Sequence, residues 1–208
     1  MAKHKVKQGE CMLSIAENKG FFWETLWKLP ENTELKQKRK DPNVLSPGDE
    51  VFIPDKQEKT ENCATEQKHQ FRKKGGPALI RLRLLDFGKP RANLKYTLDI
   101  DGQLFSGTTD KQGRIEHFIP PDAQKGALQL GKNREPFDLN LGAMDPIDTI
   151  EGVQKRLNNL GFDCCDPNGV MNEETKYAIK EFQKKYQLTE DGQVNAETRD
   201  KLKEIHGC

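Results

Sequence analysis

The alternation of apolar and polar positions changes period along the chain. Between residues 77 and 142 it has the two-residue period of half-buried strands. Ile80, Leu82 and Leu84 alternate with Arg81 and Arg83, and Leu94, Tyr96, Leu98 and Ile100 alternate with Lys95, Thr97 and Asp99. Asp101-Gly102 reads as a two-residue hairpin turn into a strand over 103–108. A second turn over 110–113 precedes strands over 115–119, 127–130 and 137–141. About six or seven short strands, with turns roughly every ten residues, predict a small β-sandwich.

From residue 146 the period is helical. Ile150, Val153, Leu157 and Leu160 recur at helix spacing, with Gly161 placed for a left-handed C-terminal cap. A second helix carries Ala178, Ile179, Phe182 and Tyr186, and a third carries Leu202 and Ile205. One pattern occurs twice here: Asn168-Gly169-Val170-Met171-Asn172-Glu173-Glu174-Thr175, then Asp191-Gly192-Gln193-Val194-Asn195-Ala196-Glu197-Thr198. Each copy offers a glycine for a tight turn, an apolar plug, and an asparagine able to cap a helix with an acidic first turn.

Two interruptions divide the chain. The stretch 57–76 is almost wholly polar and charged, as a linker is, and Arg72, Lys73 and Lys74 belong to it. Gly142 and Pro146 punctuate the change from strand period to helix period. The expected organisation is a domain over 1–56, a charged linker over 57–76, a sandwich over 77–142 and a helical domain over 146–208.

Charge balance removes one class of partner. Lysine and arginine number 34 against 33 acids, a net charge of +1, so no global basic field points to nucleic acid. Charged residues make up 32% and hydrophobic ones only 34%, which suits several small cores better than one deep core. No apolar run is long enough for a membrane span. The basic start, Met1-Ala2-Lys3-His4-Lys5, has no apolar stretch behind it, so synthesis in a reducing cytoplasm without a signal peptide is expected. Five irregularly spaced cysteines argue against a disulfide framework.

The repeated pattern carries a resemblance. Val153-Gln154, Leu157, Leu160-Gly161-Phe162, Gly169, Thr175, Ala178-Ile179, Phe182-Gln183, Leu188, Asp191-Gly192, Val194, Thr198 and Leu202 resemble the peptidoglycan-binding domain appended to wall hydrolases. The resemblance implies a three-helix bundle that holds wall glycan or stem peptide in a shallow groove, with Tyr186, Asp191 and Gly192 as binding residues.

The amino-terminal segment resembles a LysM domain through Lys5-Val6-Lys7-Gln8-Gly9-Glu10, Ser14-Ile15-Ala16, Trp23, Leu26-Trp27 and the run from Val44-Leu45-Ser46-Pro47-Gly48-Asp49 to Pro54. That implies a βααβ unit gripping N-acetylglucosamine-containing glycan. Its contacts would come from Gly9, Glu10, Cys11 and Met12 in the first loop and Leu29, Pro30 and Asn32 after the second helix. Glu10-Cys11 stands where many such domains have Asp-Thr, and Leu29-Pro30 where they often have Asn-Pro. A charged insertion over 34–41 is expected to lengthen the second loop. This version is similar to the LysM variant of proteins near type VI secretion and phage-tail-like spikes. Leu84, the run from Gly88 to Tyr96 and the run from Gly107 to Ile115 are similar to transthyretin-like sandwiches, which extend such spikes.

Chemistry-bearing constellations are sparse. There is no His-Glu-x-x-His helix and no serine elbow. Cys11 and His4 invite a cysteine–histidine pair, but a nucleophile also needs an orienting group and a cleft. Cys164, Cys165, His206 and Cys208 lack the spaced pairs of a zinc site. A disulfide from Cys164 or Cys165 to Cys208 outweighs the zinc site, and otherwise these are ordinary thiols. Trp23 and Trp27 share a helix face and suit either a core or a sugar platform.

The expected protein is a multidomain α+β chain with no metal, no cofactor and no catalytic centre. Its expected role is a peptidoglycan-binding adaptor for a contractile secretion or phage-tail-like machine, acting at the cell envelope or on such a particle. A spike or effector protein is the second expected partner. A structural adaptor that docks proteins without glycan is the alternative, and a wall hydrolase the third.

Overall fold

A computed structural model describes residues 2–57, 62–69 and 78–207. Arg72, Lys73 and Lys74 of the expected linker, and Cys208 of the expected disulfide, lie outside the described residues. The chain forms two compact units: Met1–Asn43 with Pro47–Ala143, and Val44–Ser46 with Met144–Cys208.

The first unit begins with strand β1 (Ala2–Lys5), antiparallel to β2 (Glu50–Ile53), with His4 opposite Val51. Between them run helices α1 (Met12–Lys19) and α2 (Trp23–Trp27), a 3-10 turn (Pro30–Asn32) and helix α3 (Thr33–Arg39). Met12, Ile15, Ala16, Leu26, Trp27, Leu35, Val51 and Ile53 are buried here. Helix α1 ends at Gly20, whose left-handed backbone returns its N–H to the carbonyls of Ala16 and Glu17.

The stretch expected to be a loop insertion is largely helix α3. Glu34, Leu35, Lys36, Gln37, Lys38 and Arg39 are straight-chain helix formers, and one buried leucine fastens the helix. Its far end is tied to the start of β2. Arg39 Nε and one terminal guanidinium nitrogen donate to the two carboxylate oxygens of Asp49 at 2.6 and 2.9 Å, with both side chains almost wholly buried.

Among the described residues eight strands follow, more than the six or seven expected. They are β3 (Ala78–Arg83), β4 (Leu85–Asp86), β5 (Lys89–Pro90), β6 (Lys95–Ile100), β7 (Gln103–Thr108), β8 (Arg114–Ile119), β9 (Lys125–Leu130) and β10 (Glu135–Asn140). The added pair, β4 with β5, is too short to show alternation. Strands β10-β9-β6-β7 form one antiparallel sheet, and β3 with β8 forms a separate ribbon. Their facing side chains share one core of Ile80, Ile115 and Ile119 with Tyr96, Leu98, Ile100, Leu128 and Leu130. Asp101 and Gly102, both at positive φ, close the β6–β7 hairpin with Ile100 paired to Gln103.

The second unit holds helices α4 (Ile150–Asn159), α5 (Glu173–Lys185) and α6 (Ala196–His206) around Val153, Leu157, Cys164, Ala178, Ile179, Phe182 and Leu202. Each helix has an N-cap side chain: Thr149 accepts from Gly152 N–H, Asn172 from Thr175 N–H and Asn195 from Thr198 N–H. Gly152 is required where it stands, since a Cβ there would lie 2.1 Å from the carbonyl oxygen of Pro146. Beside it Arg156, 1% exposed, donates to the carbonyls of Asp145 and Gly152 at 2.8 Å each.

Candidate functional site

At the amino-terminal end, most of the residues singled out for sugar contact serve the fold. Asn32 is buried. Its amide nitrogen donates to the carbonyls of Leu26 (2.8 Å) and Phe52 (3.0 Å), and its oxygen accepts from Phe52 N–H (2.7 Å). This carboxamide pairs with β2 as a neighbouring strand would. Met12 is fully buried, and its N–H donates to the carbonyl of Pro42. Glu10 lies 2.7 Å from His4 Nε2 and accepts from Lys7 N–H; burial raises its pKa, but these bonds outweigh it and hold the carboxyl below its usual value. His4 thus meets Glu10 rather than Cys11. The N–H of Cys11 donates to Ser14 Oγ at the start of α1.

Gly9 sits with its carbonyl oxygen 2.8 Å from where a Cβ on Gly142 would fall, so that close approach requires glycine at 142. Pro30 is exposed and begins the 3-10 turn. Leu29 lines a cavity of about 510 Å³ between the end of α2 and one face of α3. Residues 9–12 do not line it, so the two loops do not converge on that cavity.

In the helical unit the repeated pattern becomes one device used twice. Gln154 is fully buried: its amide nitrogen donates to the carbonyl of Val170 (3.0 Å) and to Thr175 Oγ1 (2.8 Å), and its oxygen accepts from Gly169 N–H (2.9 Å). Gln183 repeats this on the second loop. Its nitrogen donates to the carbonyl of Gln193 (3.2 Å), to Thr198 Oγ1 (3.1 Å) and to Asp191 Oδ1 (2.8 Å), and its oxygen accepts from Gly192 N–H (2.9 Å). Both amides are saturated, as buried polar groups must be.

Near the second clamp three aromatic rings form a ledge. Phe182 is fully buried and stacks edge-on against Phe162 at 5.4 Å and obliquely against Tyr186 at 4.8 Å, and these two outer rings are partly exposed. The ammonium of Lys185 lies 5.1 Å from the centre of the Phe162 ring and 5.8 Å from that of Tyr186. The carboxylate of Asp191 is held below its usual range by bonds from Gln193 N–H and Gln183.

Residues 148–202 match the family model described as "Putative peptidoglycan binding domain". The match takes in both glutamine clamps and the whole ledge. The match supports a peptidoglycan-binding domain in the helical unit. Comparison with curated proteins finds no match, and neither does comparison with solved structures.

Within the helical unit the three residues singled out from sequence have different positions. Tyr186 is partly exposed on the ledge, and Asp191 is exposed. Gly192 is buried, with its N–H already given to Gln183, and a Cβ there would lie 3.0 Å from the Lys180 side chain and 3.3 Å from the carbonyl oxygen of Lys176. It shapes the loop that presents Asp191. Phe162 and Lys185 were not singled out, although Leu160-Gly161-Phe162 signalled the first.

Cys164 is buried in the domain's core. Burial, followed by the charge of Asp163, pushes its thiol up to about 12, so it is a poor nucleophile or metal ligand. Cys165 is exposed. Among the described residues no three His, Cys, Asp or Glu side chains gather as metal ligands, and no helix is long and apolar enough to cross a membrane.

Proposed function

We propose that the protein is a non-catalytic accessory factor that holds peptidoglycan through the Phe162–Tyr186 ledge. The observation that carries this is the family match over 148–202 together with two partly exposed rings beside an ammonium. Aromatic faces suit the C–H faces of sugar rings, Lys185 suits a wall carboxylate, and Asp191 can accept from hydroxyl or amide groups.

Co-sedimentation of the full chain with purified sacculi tests the reading. The protein is expected in the pellet, and a chain carrying Tyr186→Ala and Lys185→Glu should move at least tenfold toward the supernatant. A wild-type chain that stays in the supernatant overturns the reading. Clearing of a sacculus suspension would overturn its non-catalytic part.

The first unit extends the proposal. Its paired strands β1 and β2 with helices between them, and the strands that follow, are compatible with the LysM and transthyretin-like resemblances, and with service on a contractile secretion or phage-tail-like machine that carries the protein to the envelope. A second reading, in which this unit docks a protein rather than glycan, draws on the internal engagement of Glu10, Met12 and Asn32. Co-purification with a spike protein from cells making such a machine would support it.

A further inference from the structure

The cavity beside α3 has a chemistry of its own. Thr33, Lys36 and Gln37 share one face of α3, opposite the side that buries Leu35, and Lys40 follows at the helix end. Trp27, Lys28 and Leu29, at the end of α2, supply the other wall. About 510 Å³ lies within the range of small-ligand sites. Its lining holds three ammonium groups and no carboxylate.

All three lysines are exposed. The adjacent Lys38 and Arg39 both bind Asp49, whereas Lys28, Lys36 and Lys40 have no ion-pair partner among the described residues. Like charges around one hollow repel, and an anionic occupant relieves the repulsion. Lysines act there as point charges on flexible stems and match separated carboxylates better than one planar group. Thr33 and Gln37 add hydroxyl and amide groups for peptide units, while Trp27 and Leu29 add apolar contact.

We propose that this cavity binds a short peptide bearing two or more carboxylates, the chemistry a peptidoglycan stem peptide offers. The inference rests on the wall-binding reading above, which makes that peptide available. It assigns peptide rather than sugar to the amino-terminal unit. Two weak contacts with one polymer then lengthen residence through effective concentration.

Trp27 reports on the cavity directly. In the full chain carrying Trp23→Phe it is the remaining tryptophan. Titration with a synthetic stem tripeptide should change its fluorescence saturably. The same tripeptide with its carboxylates amidated should bind at least tenfold more weakly, as should the tripeptide to a chain carrying Lys28→Ala and Lys36→Ala. Lys40 is better left in place, because its φ of 60° is one few side chains adopt.

The proposal is overturned if the amidated peptide binds equally well, if the lysine variants bind unchanged, or if inorganic phosphate competes as strongly as the tripeptide. Sacculus sedimentation of the lysine variant separates this from the reading it rests on. Retention through the ledge with loss of tripeptide binding supports both. A wild-type chain that binds tripeptide but does not sediment sinks only the ledge.

Discussion

Gln183 does for the loop at Asp191 what Gln154 does for the loop at Gly169: each buried carboxamide takes a glycine N–H on its oxygen and gives its nitrogen to a backbone carbonyl and a threonine hydroxyl. Two copies of one sequence pattern are thus fastened by two copies of one clamp. Leucine at Gln183 has similar volume and no polar atoms, and strands Gly192 N–H in a buried place. Unsatisfied buried groups cost about 1–3 kcal/mol each, so Gln183→Leu should destabilise the domain by roughly 2–4 kcal/mol. Urea unfolding of the full chain, followed through a helical signal, checks this. A loss below about 0.5 kcal/mol would show the clamp to be ornamental.

The caps of this device were legible in sequence, because asparagine followed by acids is a local signal with a local consequence. The clamps were not. A glutamine within a helical pattern reads as a polar surface position, and only the packing of a distant loop over Gln154 and Gln183 buries it. The same limit hid the cavity, whose lysines come from two elements brought together around Pro30. Helix α3 reads in sequence as an inserted loop because Leu35 alone anchors it. The bundle core and the long strands were legible because Leu157, Phe182, Leu98 and Leu128 repeat at the period of their own elements.

His206 gives the bundle a pH dependence. Its Nε2 lies 3.1 Å from the amide nitrogen of Asn159, which donates to a neutral ring. Burial, then the charge of Arg156, pushes its pKa down from 6.5 to about 4. The unfolded chain therefore binds a proton between those values that the folded chain refuses. The contribution is fully present above pH 6.5 and is lost as pH falls through about 4. At most about 3 kcal/mol is involved, less where water reaches the ring. His206→Gln should flatten the slope of stability against pH between 4 and 6.5, measured by denaturant midpoints. An unchanged slope would remove His206 as its source.

The Arg39–Asp49 pair makes the opposite demand on charge. Side-chain exposures of 8% and 3% leave little water to replace either partner. Asp49→Ala should therefore cost about 3–5 kcal/mol, because it removes the carboxylate that faces a buried guanidinium. Arg39→Met combined with Asp49→Leu should recover most of that loss, since the charges vanish together and apolar volume fills the space. Thermal melts of the two variants decide it, with the double variant expected to melt higher than Asp49→Ala.

Phe87 occupies the tip of the β4–β5 hairpin with φ of 45° and a fully exposed ring. An L-residue with a bulky side chain gives up roughly 1–2 kcal/mol in that backbone region, and an exposed ring recovers none of it by burial. Gly88 follows at φ of 79°, so the turn already has the glycine that such hairpins favour. Asparagine at the first position completes the preferred pair. Phe87→Asn should thus stabilise the chain by about 0.5–1 kcal/mol and leave sacculus retention unchanged. A chain that loses stability on this change must hold its phenylalanine against something, and crosslinking from residue 87 would then find the surface that covers it.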